Sequence, residues 1–62
     1  MTQKELLYFE DAISHEDIII SILSESIKMT DDNELKSFFG DEKSKHIDIK
    51  NNLMTLLEAK NG

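Results

Sequence analysis

The sequence contains no cysteine, no proline, no tryptophan and no arginine, and only two glycines. Without cysteine the chain cannot form disulfides or the thiolate-ligated zinc and iron–sulfur sites. Its longest apolar run, Ile18-Ile19-Ile20, is far shorter than the roughly 20 residues that cross a bilayer, and its first residues lack the apolar core of a signal peptide. We therefore expect a cytoplasmic protein that has no membrane partner.

Positive charge is also scarce. Seven lysines stand against thirteen aspartates and glutamates, which gives a net charge of −6. A chain with this balance repels phosphate backbones instead of attracting them. We expect no nucleic-acid partner.

The length allows one small domain. A chain of 62 residues buries only about 60% of its unfolded surface as a monomer, so small domains often depend on disulfides, a metal or a partner subunit. Disulfides are excluded here. Metal binding and self-association are the two remaining ways to stabilise the fold.

Local signals predict two helices. Thr2 and Glu5 match a capping box, and Asp31 and Glu34 repeat the spacing. Between them only residues 30–33 resemble a turn. We predict an all-α single domain at 1–62, with one helix at about 3–29, a turn at 30–33 and a second helix at about 34–60, which run antiparallel as a hairpin.

Apolar residues recur at alternating spacings of three and four in both helices, the pattern of a seam that packs against a neighbouring helix. The seam of the first helix comprises Leu6, Phe9, Ile13, Glu16, Ile20, Leu23 and Ile27. The seam of the second comprises Leu35, Phe39, Glu42, His46, Ile49, Leu53 and Leu56, with Met54 and Leu57 beside it. Three polar members interrupt these seams, namely Glu16, Glu42 and His46.

Other apolar residues lie off the seams, where a hairpin alone leaves them in water. Phe38 and Ile47 flank the second seam. On the first helix we predict an interface formed by Tyr8, Ile18, Ile22 and Met29. Contiguous exposed apolar surface usually marks an interface, so we expect a homodimer that forms a four-helix bundle, or a higher homo-oligomer.

A three-helix fold is the alternative. Glycine within a helix costs about 1 kcal/mol relative to alanine, and Asp41 could cap a new helix after Gly40. The short last segment would then cover the exposed residues.

The polar seam residues form a candidate site. In an antiparallel hairpin centred on the turn, Glu16 comes level with His46 or Ile47, and Glu42 lies one helical turn from His46. Carboxylate and imidazole ligands projecting into a helical bundle are typical of iron, manganese or zinc sites. We predict Glu16, Glu42 and His46 as metal ligands, completed by the same residues of a second subunit.

A plainer interpretation stays open. Glu42 and His46 could form an ordinary ion pair, and Glu16 could reach solvent or pair with Lys43, Lys45 or Lys50. His15 lies on the polar side of the first helix and is expected at the surface.

Glu16 and the stretch from Phe38 to Ile47 resemble the half-bundle of ferritin-like proteins, which include the rubrerythrins, the spore-coat-F-type proteins and the short encapsulated ferritins. The resemblance covers about residues 6–57. It implies a helical hairpin that dimerises into a four-helix bundle, with Glu16, Glu42 and His46 around iron. The family motif is Glu-x-x-His, whereas here Lys43 stands three residues before His46 and Glu42 stands four before. That departure argues against ferroxidase activity.

Two hypotheses for function follow. The first is a small ferritin-like protein that binds iron, manganese or zinc in the core of an oligomer. The second is an acidic interaction module without metal, such as a regulator or inhibitor that binds another protein. The sequence has no glycine-rich phosphate loop and no His-Glu-x-x-His helix, and we expect no catalysis by the monomer.

Overall fold

The computed structural model describes residues 1–61, which form two α-helices and no strand. Helix α1 spans Gln3–Met29 and helix α2 spans Asn33–Asn61. The contacts of Glu16 with His46 and of Asp17 with Lys50 join the middles of two helices that are connected by three residues, so the helices lie side by side and antiparallel. The predicted all-helical class is confirmed. Neither helix is long and apolar enough to cross a membrane.

A capping box begins α1, as the sequence predicts. The backbone N–H of Glu5 donates to the Thr2 hydroxyl over 3.1 Å, and the N–H of Thr2 donates to the Glu5 carboxylate over 2.9 Å. Both bonds satisfy amide groups that have no partner within the helix. The bond from the backbone of Thr2 lowers the pKa of Glu5 below its ordinary value.

The turn ends α1 and begins α2 within three residues. At Thr30 the backbone becomes extended, and its N–H still donates to the carbonyl of Ser26. The carboxylate of Asp32 then accepts from the backbone N–H groups of Glu34 and Leu35, at 2.8 and 3.1 Å. Asp32 is therefore the N-cap of α2, and the capping box predicted from Asp31 and Glu34 is wrong by one residue.

Helix α2 continues through Gly40 without a break. The backbone at Gly40 has no positive φ, and a Cβ placed there would meet nothing within 4 Å. The three-helix alternative is therefore wrong. Neighbouring residues with good helix propensity and a full ladder of backbone bonds carry the helix across the glycine.

The contact between the helices is one seam wide. All seven predicted seam positions of α1 are half-buried. No side chain of residues 1–61 is fully buried. A single layer of contact therefore holds the hairpin, and each seam residue keeps part of its surface in water.

Helix α2 is rotated relative to the predicted seam. Phe39, Glu42, His46 and Leu53 are half-buried as expected, but Leu35, Ile49 and Leu56 are exposed. Their places against α1 are taken by other half-buried residues, namely Lys43, Lys50 and Leu57. An α-helix has 3.6 residues per turn, so a strict seven-residue pattern drifts by about 20° per heptad around a straight helix.

The overall shape reflects this single seam. The Cα atoms extend 46 × 15 × 10 Å with a radius of gyration of 14.4 Å, whereas a compact domain of this length has about 11 Å. The accessible surface is 4752 Å², against about 4,100 Å² for a compact monomer of this mass. The hairpin is therefore more extended and more exposed than a self-sufficient small domain.

The assignment of the α2 cap can be tested directly. Replacing Asp32 by alanine removes the acceptor for two backbone N–H groups, and we expect the free energy of unfolding to fall by about 1 kcal/mol. The matched variant Asp31→Ala removes the same charge one residue earlier and should change it by less than about 0.5 kcal/mol. Urea unfolding at a fixed chain concentration measures both. A larger loss for Asp31→Ala would contradict the assignment.

Candidate functional site

A carboxylate and an imidazole meet across the seam. Nδ1 of His46 lies 2.6 Å from Oε2 of Glu16, and the two side chains are 24% and 13% exposed. This is the hydrogen bond that connects side chains of the two helices at their centre. The sequence prediction that Glu16 faces His46 or Ile47 is confirmed for His46.

The position of this pair follows from the register of the hairpin. Glu16 is the central residue of α1, and His46 is next to the central residue of α2. A short turn allows little shift between antiparallel helices, so residues equally distant from the turn come level. The pair therefore lies at the middle of the long axis of the hairpin, about equally far from its two ends.

Glu42 is the third predicted ligand, and it points to a different partner. Its Oε1 accepts from Nζ of Lys45 over 3.2 Å, and its side chain is half-buried while that of Lys45 is exposed. Within residues 1–61, no group of three or more histidine, cysteine, aspartate or glutamate side chains is arranged to hold a metal ion. One chain thus brings Glu16 and His46 together and leaves Glu42 outside the pair.

The chemistry of the pair depends on the histidine tautomer. When Nδ1 carries the proton, it donates to Glu16 and leaves the lone pair of Nε2 for a metal or another donor. Carboxylates commonly orient metal-binding histidines in this way. In such an arrangement Glu16 positions the imidazole.

A second ion pair joins the helices beside the site, and the sequence reasoning missed it. Nζ of Lys50 lies 2.6 Å from Oδ1 of Asp17. The plainer interpretation offers Lys50 as a partner for Glu16, whereas Glu16 binds His46. Asp17 lies nearer the turn than Glu16 and Lys50 lies further from it than His46, so the register does not bring the two level, and the long lysine side chain spans the offset. The long aliphatic stem of a lysine can lie along apolar surface while its ammonium group reaches a carboxylate, which explains why Lys50 is half-buried.

The predicted interface residues are all exposed in the single chain. Tyr8, Ile18, Ile22 and Met29 have between 56% and 83% of their surface in water. Phe38 and Ile47 are exposed as well, and the ring of Phe38 packs edge-on against Phe39 with centroids 5.8 Å apart. His15 is exposed, as expected.

Comparisons of the chain with protein-family models, with curated protein sequences and with solved structures find no match.

A double-mutant cycle can test the Glu16–His46 contact. We expect Glu16→Gln and His46→Asn to be coupled by about 1 kcal/mol or more, because hydrogen bonds that involve a charged group contribute about 1.5–3 kcal/mol. The more exposed pair supplies the matched control, and Asp17→Asn with Lys50→Gln should be coupled by about 0.5 kcal/mol or less. Urea unfolding of the four variants in each cycle gives both values. Equal coupling energies in the two cycles would show that the Glu16–His46 contact stabilises the hairpin no more than the exposed Asp17–Lys50 ion pair does.

Proposed function

We propose that the protein is a helical association module that works as a homodimer, with two hairpins forming a four-helix bundle. One observation carries this proposal. Residues 1–61 contain no buried side chain, and twelve large apolar residues among them are exposed. A second copy would supply the helical layer that this single-seam hairpin lacks.

The physical argument concerns the number of layers. Stable domains bury the apolar side of each element against another layer of structure. In the hairpin each helix packs against one neighbour, whereas in a four-helix bundle each helix packs against two. Exposed side chains such as Ile22, Phe38 and Leu56 gain about 1.5–3 kcal/mol each when an interface covers them fully. Several such residues per chain are enough to offset the loss of rotational and translational freedom on association.

Charge acts in the opposite direction. Two chains of net charge −6 repel each other, and this repulsion weakens as salt screens it. We therefore expect the homodimer to become tighter as ionic strength rises. A basic partner protein would show the reverse dependence, and this is the behaviour expected of the acidic regulator or inhibitor that forms the alternative.

Sedimentation velocity tests self-association. We expect the wild-type protein to sediment as a dimer at micromolar concentrations, and Ile22→Glu to shift it to a monomer because two glutamates would enter the apolar interface. Ser21→Glu adds the same charge one residue earlier, away from the seam, and serves as the control. A wild-type protein that stays monomeric up to about 100 μM, where dimers with standard interfaces are populated, would refute the proposal.

Metal binding in the dimer core is the second candidate function, and the Glu16–His46 pair favours it. The pair lies at the centre of both helices, so two hairpins that overlap along their full length bring both pairs to the same level. Glu42 lies one helical turn, about 6 Å along the axis, from His46. Two copies would therefore supply four carboxylates and two imidazoles within about one turn of the middle of the bundle.

This donor set suits iron, manganese or zinc better than soft metal ions. It is also the set that the ferritin-like resemblance implies. A bound ion would neutralise carboxylates that are otherwise costly to bury between the subunits. Under this candidate function the protein binds or stores a divalent metal, and we assign no catalytic reaction to it.

Thermal unfolding of the metal-free protein tests the second candidate. We expect zinc(II), manganese(II) or iron(II) at 100 times its dissociation constant to stabilise the dimer by about 2.7 kcal/mol and to raise its melting temperature. His46→Gln should abolish the rise, whereas His15→Gln, which alters the exposed histidine, should retain it. If none of the three ions shifts the melting temperature, or if both variants respond alike, these residues are not metal ligands.

A further inference from the structure

The hairpin has two broad sides, and they differ in character. The Asp17–Lys50 ion pair crosses the seam on one side. At 3.6 residues per turn, Ile19 lies about 60° around α1 from Glu16, away from Asp17, and Ile49 lies about 60° around α2 from His46, away from Lys50. Ile19 and Ile49 therefore share the opposite side of the hairpin.

That opposite side carries six apolar residues and is here named the open face. They are Tyr8, Ile19 and Ile22 on α1 and Phe38, Ile49 and Leu56 on α2. Ile19 is half-buried and the other five are exposed. At about 100° per residue, the three positions on α1 lie within about 60° of one another around the helix, and the three on α2 lie within about 20°.

We propose that the second copy docks on the open face, so that the dimer axis passes beside Glu42 and the Glu16–His46 pair. This inference rests on the proposed homodimer and names the surface that forms it. It differs from the interface predicted from the sequence, because Ile18 lies on the outer side of α1, about 160° around the helix from Glu16, and takes no part. Tyr8 and Ile22 belong to both descriptions, and Met29 lies within about 20° of Ile22 around the helix.

The available area supports this choice. The broad side of the hairpin measures 46 by 15 Å between Cα atoms, which is about 700 Å² before side chains are added, and a standard interface buries about 800 Å² per partner. The outer side of α1 is only one helix wide. It therefore offers much less area for a second rigid hairpin than the open face, which is two helices wide.

The rotation of α2 relative to the predicted seam independently supports docking on the open face. Leu35, Ile49 and Leu56 continue the heptad pattern of α2 but are exposed in the single hairpin. Each helix thus carries two adjacent stripes, one that packs within the hairpin and one that remains exposed. Two adjacent stripes are what a helix needs when it has two neighbours in a four-helix bundle.

The open face carries charges of both signs. Between Phe38 and Ile49 the charged residues on this side are Asp41, Glu42 and Lys45, and Glu42 and Lys45 form an ion pair with each other at 3.2 Å. The opposite side carries Lys43 and Lys50 together with Asp17. The ion pair neutralises part of the charge on the open face, and salt would screen the remaining negative charge when two copies meet.

Substitutions by glutamate can distinguish the open face from the outer side of α1 as the surface that forms the dimer. Ile49→Glu and Leu56→Glu on the open face should each raise the dissociation constant of the dimer by at least about 100-fold. Ile18→Glu and Leu7→Glu alter exposed residues that lie about 160–180° around α1 from Glu16, on its outer side, and should change it by less than about threefold. Sedimentation of the full chain measures all four. The reverse pattern would overturn the open face but leave the homodimer intact, whereas a monomeric wild type would overturn both.

Cross-linking keeps the test valid if a glutamate variant fails to fold. The chain has no cysteine, so introduced thiols report proximity without background. The double variant His15→Cys/Lys45→Cys places thiols at the edges of the open face near mid-height, and we expect rapid oxidation to a covalent dimer in whichever direction the two hairpins pair. Ser14→Cys/Asp48→Cys places them at the same height on the far sides and should remain monomeric. Equal rates for the two pairs, or faster linking of the second pair, would overturn the proposal.

Discussion

Two helices that touch along a single seam leave every side chain partly in water, and this limit governs the rest of the molecule. A seam residue is covered by the opposing helix on one side only, so the seven seam residues of α1 are half-buried and none is buried. The hydrophobic effect grows with the area removed from water. The apolar residues of this chain therefore stabilise the fold fully only when a second helical layer covers them, and without cysteine no disulfide can replace that layer.

The single seam also determines what the Glu16–His46 pair contributes to the fold. An apolar pair at the centre of the seam would stabilise the hairpin at least as well, because buried ion pairs lose solvation on folding. A polar pair in this position favours one alignment, since a shift of one helical turn would separate Glu16 from His46 and bring the carboxylate level with Glu42 and Lys43 or with Lys50. If two hairpins overlap fully, the alignment within each chain also aligns the two pairs with each other. The proposed dimer and the proposed metal site would thus share the level that the register of the hairpin determines.

Much of the hairpin could be predicted from the sequence because local chemistry determines it. The capping box at Thr2, the absence of helix breakers and the polar residues of the turn indicate where the helices lie, and the shortness of the turn sets Glu16 level with His46. The predictions that were wrong depend on a difference of a single residue in the helix cap or of a small rotation about the helix axis. Asp31 and Asp32 are equally good caps by type, and the drift between a seven-residue pattern and a 3.6-residue turn decides whether Ile49 faces α1 or solvent. The partner of Glu42 could not be predicted, because Lys45 and His46 lie three and four residues further along the same helix and both are within its reach.

The central claim is that the core is completed by a second copy of the chain, and the dependence of thermal stability on chain concentration tests it most directly. For a dimer that unfolds to two separate chains, mass action raises the melting temperature as the concentration increases. We predict a rise of several degrees over a hundredfold range of concentration, with the helical signal lost in the same transition. A melting temperature that is constant over that range would contradict the account, because it would show that the single hairpin is stable without a second layer.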